Sequence, residues 1–475
     1  MKFWAGLAMV ILLGTAPCVF AAGELPALDS ASATAPDESR LGDAFLRKLR
    51  ASTDVIDDPL LQSWVENLSY QLAFHADMPQ PDLQVVLIPD RRINAFAVPG
   101  GIIGINAGLF LYAENESEFA AVLAHELAHV QQRHYARSRD QAGKDHWIYL
   151  GALLASIALA ASGSDSDAAM AVGVSSQAAM VQQQLAYSRL HEQEADRIGM
   201  QTLAAAGYTP TAMPSFFGRL ERESRQVGFL PDFLLTHPLT QDRIADSLNR
   251  ARSLPQTGMA DSRAYRLIRQ RLLAMSGDAD QQSLSGYQQQ LKEKPGLEEA
   301  RFGLALTLKN LRRFDQARSE LDTLLLKHPG TVDYVIARAD VELADNKPEA
   351  ALVILRQALA LTPDSVSLRL YAAHAANLAL QPELAVGWLE PLSRSRPRDP
   401  SVWDLLSEAA LQRRDAVGVL RARAESRFLN GSGEKAVKDL EQAIRLAKDN
   451  YPLQAKLQSR LDAIRLVIRD DRDIQ

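Results

Sequence analysis

Cysteine is nearly absent: Cys18 is the sole thiol among 475 residues. A disulfide framework is therefore excluded, and so is a metal site built on sulfur. A basic excess is also lacking. Against 52 Lys and Arg stand 58 Asp and Glu, a net charge of −6, which leaves no electrostatic footprint for nucleic acid. Long apolar runs are scarce too. Trp147 to Ala161 is nearly all apolar but spans only about 15 residues, short of the ~20 that a membrane-crossing helix needs.

The N-terminus reads as an export signal. Lys2 supplies the positive start, Phe3 to Pro17 a short apolar stretch, and Val19-Phe20-Ala21 a small-residue cleavage site before Ala22. Cys18 raises a lipoprotein alternative, which the Pro17 directly before it argues against. Cleavage would remove the one thiol, which suits an oxidising compartment. Residues 1–21 are thus read as a signal peptide and 22–40, rich in Ala, Ser, Pro and Asp, as a flexible leader.

The strongest signal in the chain is His125-Glu126-Leu127-Ala128-His129. Two His four apart on a helix differ by about 40° of rotation, so both imidazoles can grip one metal ion. The Glu between them can reach a metal-held water as general base. Asn115 is a plausible N-cap with Glu118 to complete a capping box, and Phe119, Val122, Leu123, Leu127 and Val130 repeat at helical spacing.

A catalytic zinc usually takes three protein ligands. Gln132 and Tyr135 stand where an extended HExxHxxGxxH site would need Gly and His. His134 is nine residues from His125, about 180° around a continued helix, and is expected to point away. Downstream, Glu192 and Asp196 share a helix face, with Glu194 opposite. The spacing suits Glu192 on zinc and Asp196 accepting a hydrogen bond from a ligating His. A solvated acidic helix is the other reading of that spacing, and His191 is a rival ligand.

HELAH followed by this ExxxD resembles the zinc peptidase family that contains the CAAX prenyl protease and the HtpX membrane peptidase. Asn94-Ala95-Phe96-Ala97-Val98-Pro99-Gly100-Gly101 and Thr236-His237-Pro238 with Arg243 resemble further blocks of it. The resemblance covers roughly residues 40 to 250. It implies one Zn2+ on His125, His129 and Glu192, Glu126 as the catalytic base, and Asp196 supporting a ligand. For His237 it leaves three roles open: oxyanion stabiliser, fourth zinc ligand, or a latch that displaces the water hydrolysis needs.

A peptide substrate would lie extended. Leu83 to Leu87 and Ile102 to Ile105 read as short strands, and an edge strand beside the active helix would bind peptide backbone. Asn94, Phe96, Gly100 and Gly101 are the candidate substrate contacts. The glycines allow close backbone approach, or else they only turn a hairpin. Trp147 to Ala161 and Ala168 to Val181, separated by a Ser/Asp-rich break, read as two helices packed on the core or over its cleft, with peripheral membrane contact through 147–181 as an alternative.

The C-terminal half is repetitive. Pro295, Pro329, Pro363 and Pro397 recur every 34 residues, the tetratricopeptide period. Ala305, Ala339 and Ala373 keep the phase, as do Ala317, Ala351 and Ala385, and Leu321, Leu355 and Leu389. A degenerate first repeat is expected over 261 to 294. After Pro397 the residue pattern breaks at Val419 and restarts near Ala436, which predicts stacked helices with one irregular step. Pro452 to Arg469 is expected to cap the array.

The chain is thus expected to be an α+β, mostly helical zinc metallopeptidase domain with a small sheet over 41–255. An all-α tetratricopeptide solenoid would follow over 261–470. Together with the export signal, this resembles a periplasmic branch of the family in Gram-negative bacteria. The resemblance implies protease and chaperone roles in outer-membrane protein quality control. Partners would be unfolded or misassembled outer-membrane proteins, with the repeats engaging them or the barrel assembly machinery, peripherally at the outer membrane. The competing classes are a repeat scaffold that hardly cleaves and a membrane-embedded prenyl-protein peptidase.

Overall fold

The computed structural model describes residues 35–78, 81–137, 151, 153–154, 157, 189–227, 231–256, 258–259, 261–277 and 281–473. The expected signal peptide, the leader before Ala35, the break at 162–167 and the run Ala168 to Val181 lie outside the described residues. Of Trp147 to Ala161, Leu153 and Ile157 are buried beside the sheet.

Helix α1 (Ala35–Ser52) starts inside the stretch expected to be a flexible leader. Its Leu41, Phe45, Leu46 and Leu49 close over Val86, Phe96 and Ile102 of the sheet, so burial of one apolar face orders it. Helix α2 (Pro59–His75) follows, N-capped by Asp58, with Pro at its first turn. Strands β1 (Gln84–Ile88), β2 (Ala95–Val98) and β3 (Ile102–Asn106) form a sheet of order β1-β3-β2. β1 runs parallel to β3, pairing Val86 with Gly104. β2 runs antiparallel to β3, pairing Val98 with Ile102. β2 is therefore an edge strand. Gly104 is required there: a Cβ would fall 2.0 Å from the Phe96 ring.

Helix α3 (Ala107–Tyr112) leads to α4 (Glu116–Gln131), which carries HELAH. Asn115 caps α4 by accepting from the Glu118 amide. The return bond of the box goes one residue earlier than expected, from the Glu114 amide to Glu118. From Glu116 to His129 every residue of α4 is buried, the mark of a central helix. Around it lie α5 (Arg189–Ala205), α6 (Ala212–Val227), α7 (Asp232–Thr236) and α8 (Gln241–Ser253).

The remaining helices pair. They are α9 (Arg263–Met275), α10 (Gln281–Glu293), α11 (Glu298–Asn310), α12 (Phe314–Lys327), α13 (Val332–Ala344), α14 (Pro348–Leu361), α15 (Val366–Leu378), α16 (Pro382–Ser395), α17 (Pro400–Gln412), α18 (Ala416–Leu429), α19 (Gly433–Leu446) and α20 (Tyr451–Asp473). The helices keep step beyond Pro397. Pro400 and Ala416 follow the 34-residue period, and Gly433 and Tyr451 fall within one residue of it. The expected irregular step is therefore corrected. Val419 departs from the alanine column without shifting the helix, because Leu420 turns into the core there. Leu457, Leu461 and Ile464 of α20 are buried and close the end of the array.

The two halves share one core. A single apolar cluster runs from Leu61 and Phe119 through Tyr265 and Ile336 to Leu406. Trp64 of α2 sits 5.4 Å from Phe119 and 5.5 Å from Tyr265 of α9. Among the described residues no helix is long and apolar enough to cross a membrane.

Candidate metal centre

Three elements converge on one point. α4 supplies His125, Glu126 and His129, α5 supplies Glu192 and Asp196, and the residue after α7 is His237. Gly199 lets α5 lie against α4, since a Cβ there would sit 3.0 Å from the Ala124 carbonyl and the His125 amide. His125, His129, Glu192 and His237 are all buried, and one ligand atom from each falls within 4.8 Å of the others.

The spacing of those atoms fits a metal. A tetrahedral ion with bonds of about 2.05 Å holds its ligand atoms about 3.3 Å apart. His125 Nε2 lies 3.1 Å from His129 Nε2 and 3.3 Å from His237 Nδ1. Glu192 Oε1 lies 3.4 Å from His129 Nε2 and 3.1 Å from His237 Nδ1. Two histidines, a carboxylate and a third imidazole thus converge on one point, each in reach of its neighbours. This is a nitrogen and oxygen donor set of the kind that suits zinc among the common divalent ions.

Supporting contacts fix the ligands. Asp196 Oδ1 is 3.0 Å from His125 Nδ1. Arg243 of α8 holds both oxygens of Asp196, at 2.7 and 2.8 Å, reaches Glu192 Oε2 at 2.8 Å, and donates to the Pro238 carbonyl at 2.7 Å. Glu126 Oε1 lies 3.3 Å from His237 Nε2.

Burial opposes charge on these groups; partners outweigh it at His125, Glu192 and Asp196, and burial wins at His129 and Glu126. For His125 the carboxylates of Asp196 and Glu192 outweigh burial and push its pKa up to about 10. Burial keeps His129 well below the usual imidazole range. For Glu192 burial is overcome by His237 and His125, which hold it well below the ordinary carboxylate value. Asp196 is lowered in the same way by His125 and Arg243. Burial raises Glu126, only partly relieved by the neighbouring imidazoles, so it is the one carboxylate of the cluster biased toward taking a proton.

The sequence-named residues divide clearly. His125, Glu126, His129, Glu192, Asp196 and His237 meet. His191 lies off the cluster, stacked on His134. Asn94 is buried just before β2. Phe96 is core: its ring meets Phe45 at 6.1 Å and covers Gly104. Gly100 and Gly101 turn the β2–β3 hairpin with φ of 80° and 76°. They pack on the chain's own backbone, where Cβ atoms would strike the carbonyls of Glu38 and Asp82 at 2.8 and 2.3 Å. β2 itself was not foreseen as a strand, and its Ala97 amide faces Glu126. Arg243 has no role in the sequence reading; His134 is outside the ligand cluster, as expected, but instead of facing away it contacts His129 Nδ1 at 2.9 Å.

A model of peptidase family M48 matches residues 59–251, and a tetratricopeptide repeat model matches 342–409. The beta-barrel assembly-enhancing protease of Yersinia pestis is 35% identical over 460 residues, covering 93% of this chain and 93% of its own length. The chain belongs to the beta-barrel assembly-enhancing protease branch of peptidase family M48. The namesake from Escherichia coli K12 is 35% identical over 433 residues, covering 90% of this chain and 88% of its own length. The mitochondrial metalloendopeptidase OMA1 of Schizosaccharomyces pombe is 32% identical over 158 residues, 33% of this chain and 43% of its own length. The buried His125, His129 and Glu192 are the metal site of an M48 metallopeptidase.

Proposed function

We propose that this chain is a zinc endopeptidase of the periplasm that degrades misfolded or stalled outer-membrane β-barrel proteins and assists productive ones. The repeat domain engages these substrates or the machinery that assembles them. The observation that carries the catalytic part is the convergence of His125, His129, Glu192 and His237, all buried, on one point. The names and near full-length coverage of the relatives support the choice of substrate and compartment.

When bound, zinc supplies a Lewis acid beside the scissile carbonyl. Glu126 takes the proton of the attacking water and returns it to the leaving amine. Asp196 and Arg243 hold His125 and Glu192 in place. The outer edge of β2, beside α4, pairs with substrate backbone, which binds extended chains with little sequence preference. His237 is a latch: its Nδ1 stands at the fourth corner, where the attacking water is needed.

The test is proteolysis of an unfolded β-barrel protein by the purified mature chain, with bound metal quantified. Wild type, Glu126→Gln and His237→Ala are compared. Glu126→Gln is expected to keep its zinc and lose about 10²–10⁴-fold in rate. His237→Ala is expected to cleave faster than wild type. A wild type and a His237→Ala that both carry zinc and cleave nothing would put the binding-scaffold reading ahead.

A further inference from the structure

Helix α4 ends at Gln131, and Arg133 takes a left-handed φ of 49°. That step turns the chain back, so His134 does not continue the helix. Its buried ring folds against His129 instead, with Nδ1 2.9 Å from the Nδ1 of His129. The Nε2 of His134 lies 3.1 Å from Glu194 Oε2, and Arg137 holds the same oxygen at 2.8 Å. His191 stacks nearly flat on His134, ring centroids 4.5 Å apart and 11° between planes, which fixes the plane of its ring.

Two nitrogens at 2.9 Å share one proton. His129 presents Nε2 to the ligand cluster. A nitrogen that gives its lone pair to a metal leaves the ring proton on the other nitrogen, so His129 Nδ1 is the donor. His134 Nδ1 must then accept, and His134 carries its own proton on Nε2. That proton points to Glu194, an ionised carboxylate that only accepts. The carboxylate at the end of the chain thus dictates both tautomers.

We propose that His134 and Glu194 are positioning residues for the metal site. They orient the His129 imidazole and keep its proton on Nδ1, as Asp196 does directly for His125. The inference rests on the reading that His125, His129 and Glu192 hold a metal ion.

The test is the Zn2+ affinity of the purified mature chain by chelator competition, for wild type, His134→Phe, His134→Gln and Glu194→Ala. Melting of each metal-free form is recorded alongside. Phe keeps the stack and accepts nothing; Gln can both accept from His129 and donate to Glu194. His134→Phe is expected to bind zinc about 10–100-fold more weakly, and Glu194→Ala several-fold more weakly. His134→Gln is expected to recover most of the loss, with metal-free melting unchanged throughout. A folded His134→Phe with wild-type affinity overturns the relay, as does a His134→Gln as weak as His134→Phe. Should His134→Phe not fold, Glu194→Ala decides: weakened binding supports the relay and wild-type affinity overturns it. Wild type that takes up no zinc defeats the metal reading, and the relay falls with it.

Discussion

Arg271, in the first repeat helix, closes on Asp58, the N-cap of α2 in the peptidase domain. Its Nε and Nη2 reach Asp58 Oδ2 at 2.9 and 2.7 Å. Tyr371 of the fourth repeat donates to the same oxygen at 2.9 Å, and Asp340 flanks Arg271 at 3.2 Å. One carboxylate thus starts a peptidase helix and anchors two separate repeats.

Breaking that pair from one side leaves a buried charge alone. Arg271→Met is expected to destabilise the chain by about 3–5 kcal/mol, read as a lowered urea midpoint. Asp58→Asn together with Arg271→Met should recover part of the loss, because Asn still caps α2. Equal losses in the single and double variants would contradict this.

Acid should act at the same place. Burial alone would raise the Asp58 carboxyl, but Arg271, the Leu61 amide and Tyr371 hold it below the usual carboxylate value. A depressed folded pKa gives stability that is complete above the ordinary value of about 4 and is lost as pH falls through the lower folded value. Wild type should therefore lose this contribution below about pH 4. In Asp58→Asn the acid limb of a melting-temperature profile should be shallower.

Asp196 Oδ1 faces His125 Nδ1 at 3.0 Å, placed to accept its proton. Asp196→Ala should lower zinc affinity about 10–100-fold by chelator competition. It also releases Arg243, which then has only Glu192 and the Pro238 carbonyl.

Gly199 sets the distance between the two ligand-bearing helices. Gly199→Val forces its side chain onto the backbone at Ala124 and His125. Zinc uptake should fall more than the content of helix seen by circular dichroism, because α5 is displaced rather than unfolded.

A strained column runs through the repeats. Arg312, Asn346, Leu380 and Arg414 recur every 34 residues, each with φ between 56° and 58°. Each follows the first helix of its pair and closes a Schellman-type turn, as in the bond from the Gln381 amide to the Ala376 carbonyl. Asn tolerates this conformation better than Leu. Leu380 is 77% exposed, so little packing is at stake. Leu380→Asn should stabilise the chain by about 0.5–1 kcal/mol, seen as a raised melting temperature.

Much of this molecule was legible because its signals are local. HELAH needs only helical spacing, and the proline, alanine and leucine columns need only a ruler of 34 residues. Glu192 and Asp196 were legible as a spacing on one helix. The failures share a cause: each depends on where the chain turns. His134 was placed by extending α4 past Gln131, and one left-handed residue, Arg133, reverses that. β2 was missed because Ala95 to Val98 is buried along its length and shows no alternation. The resemblance lies in the segment that holds Phe96, whereas the face of the strand decides what its ring meets, here Phe45 and Gly104. The union of Asp58 with Arg271, 213 residues apart, has no sequence signature.

The shared core also bears on synthesis. A ribosome delivers the peptidase half first, while Arg271 and Tyr371 are still unmade. The last clasp, Arg47 to Asp471 at 2.8 Å, spans 424 residues. Contacts so far apart form slowly and late. Until α9 and α15 emerge, Asp58 and Trp64 lack the partners that the repeats supply. The peptidase half is therefore completed in its packing only as the repeats arrive, and a chain cut before α9 would leave Asp58 and Trp64 without these partners.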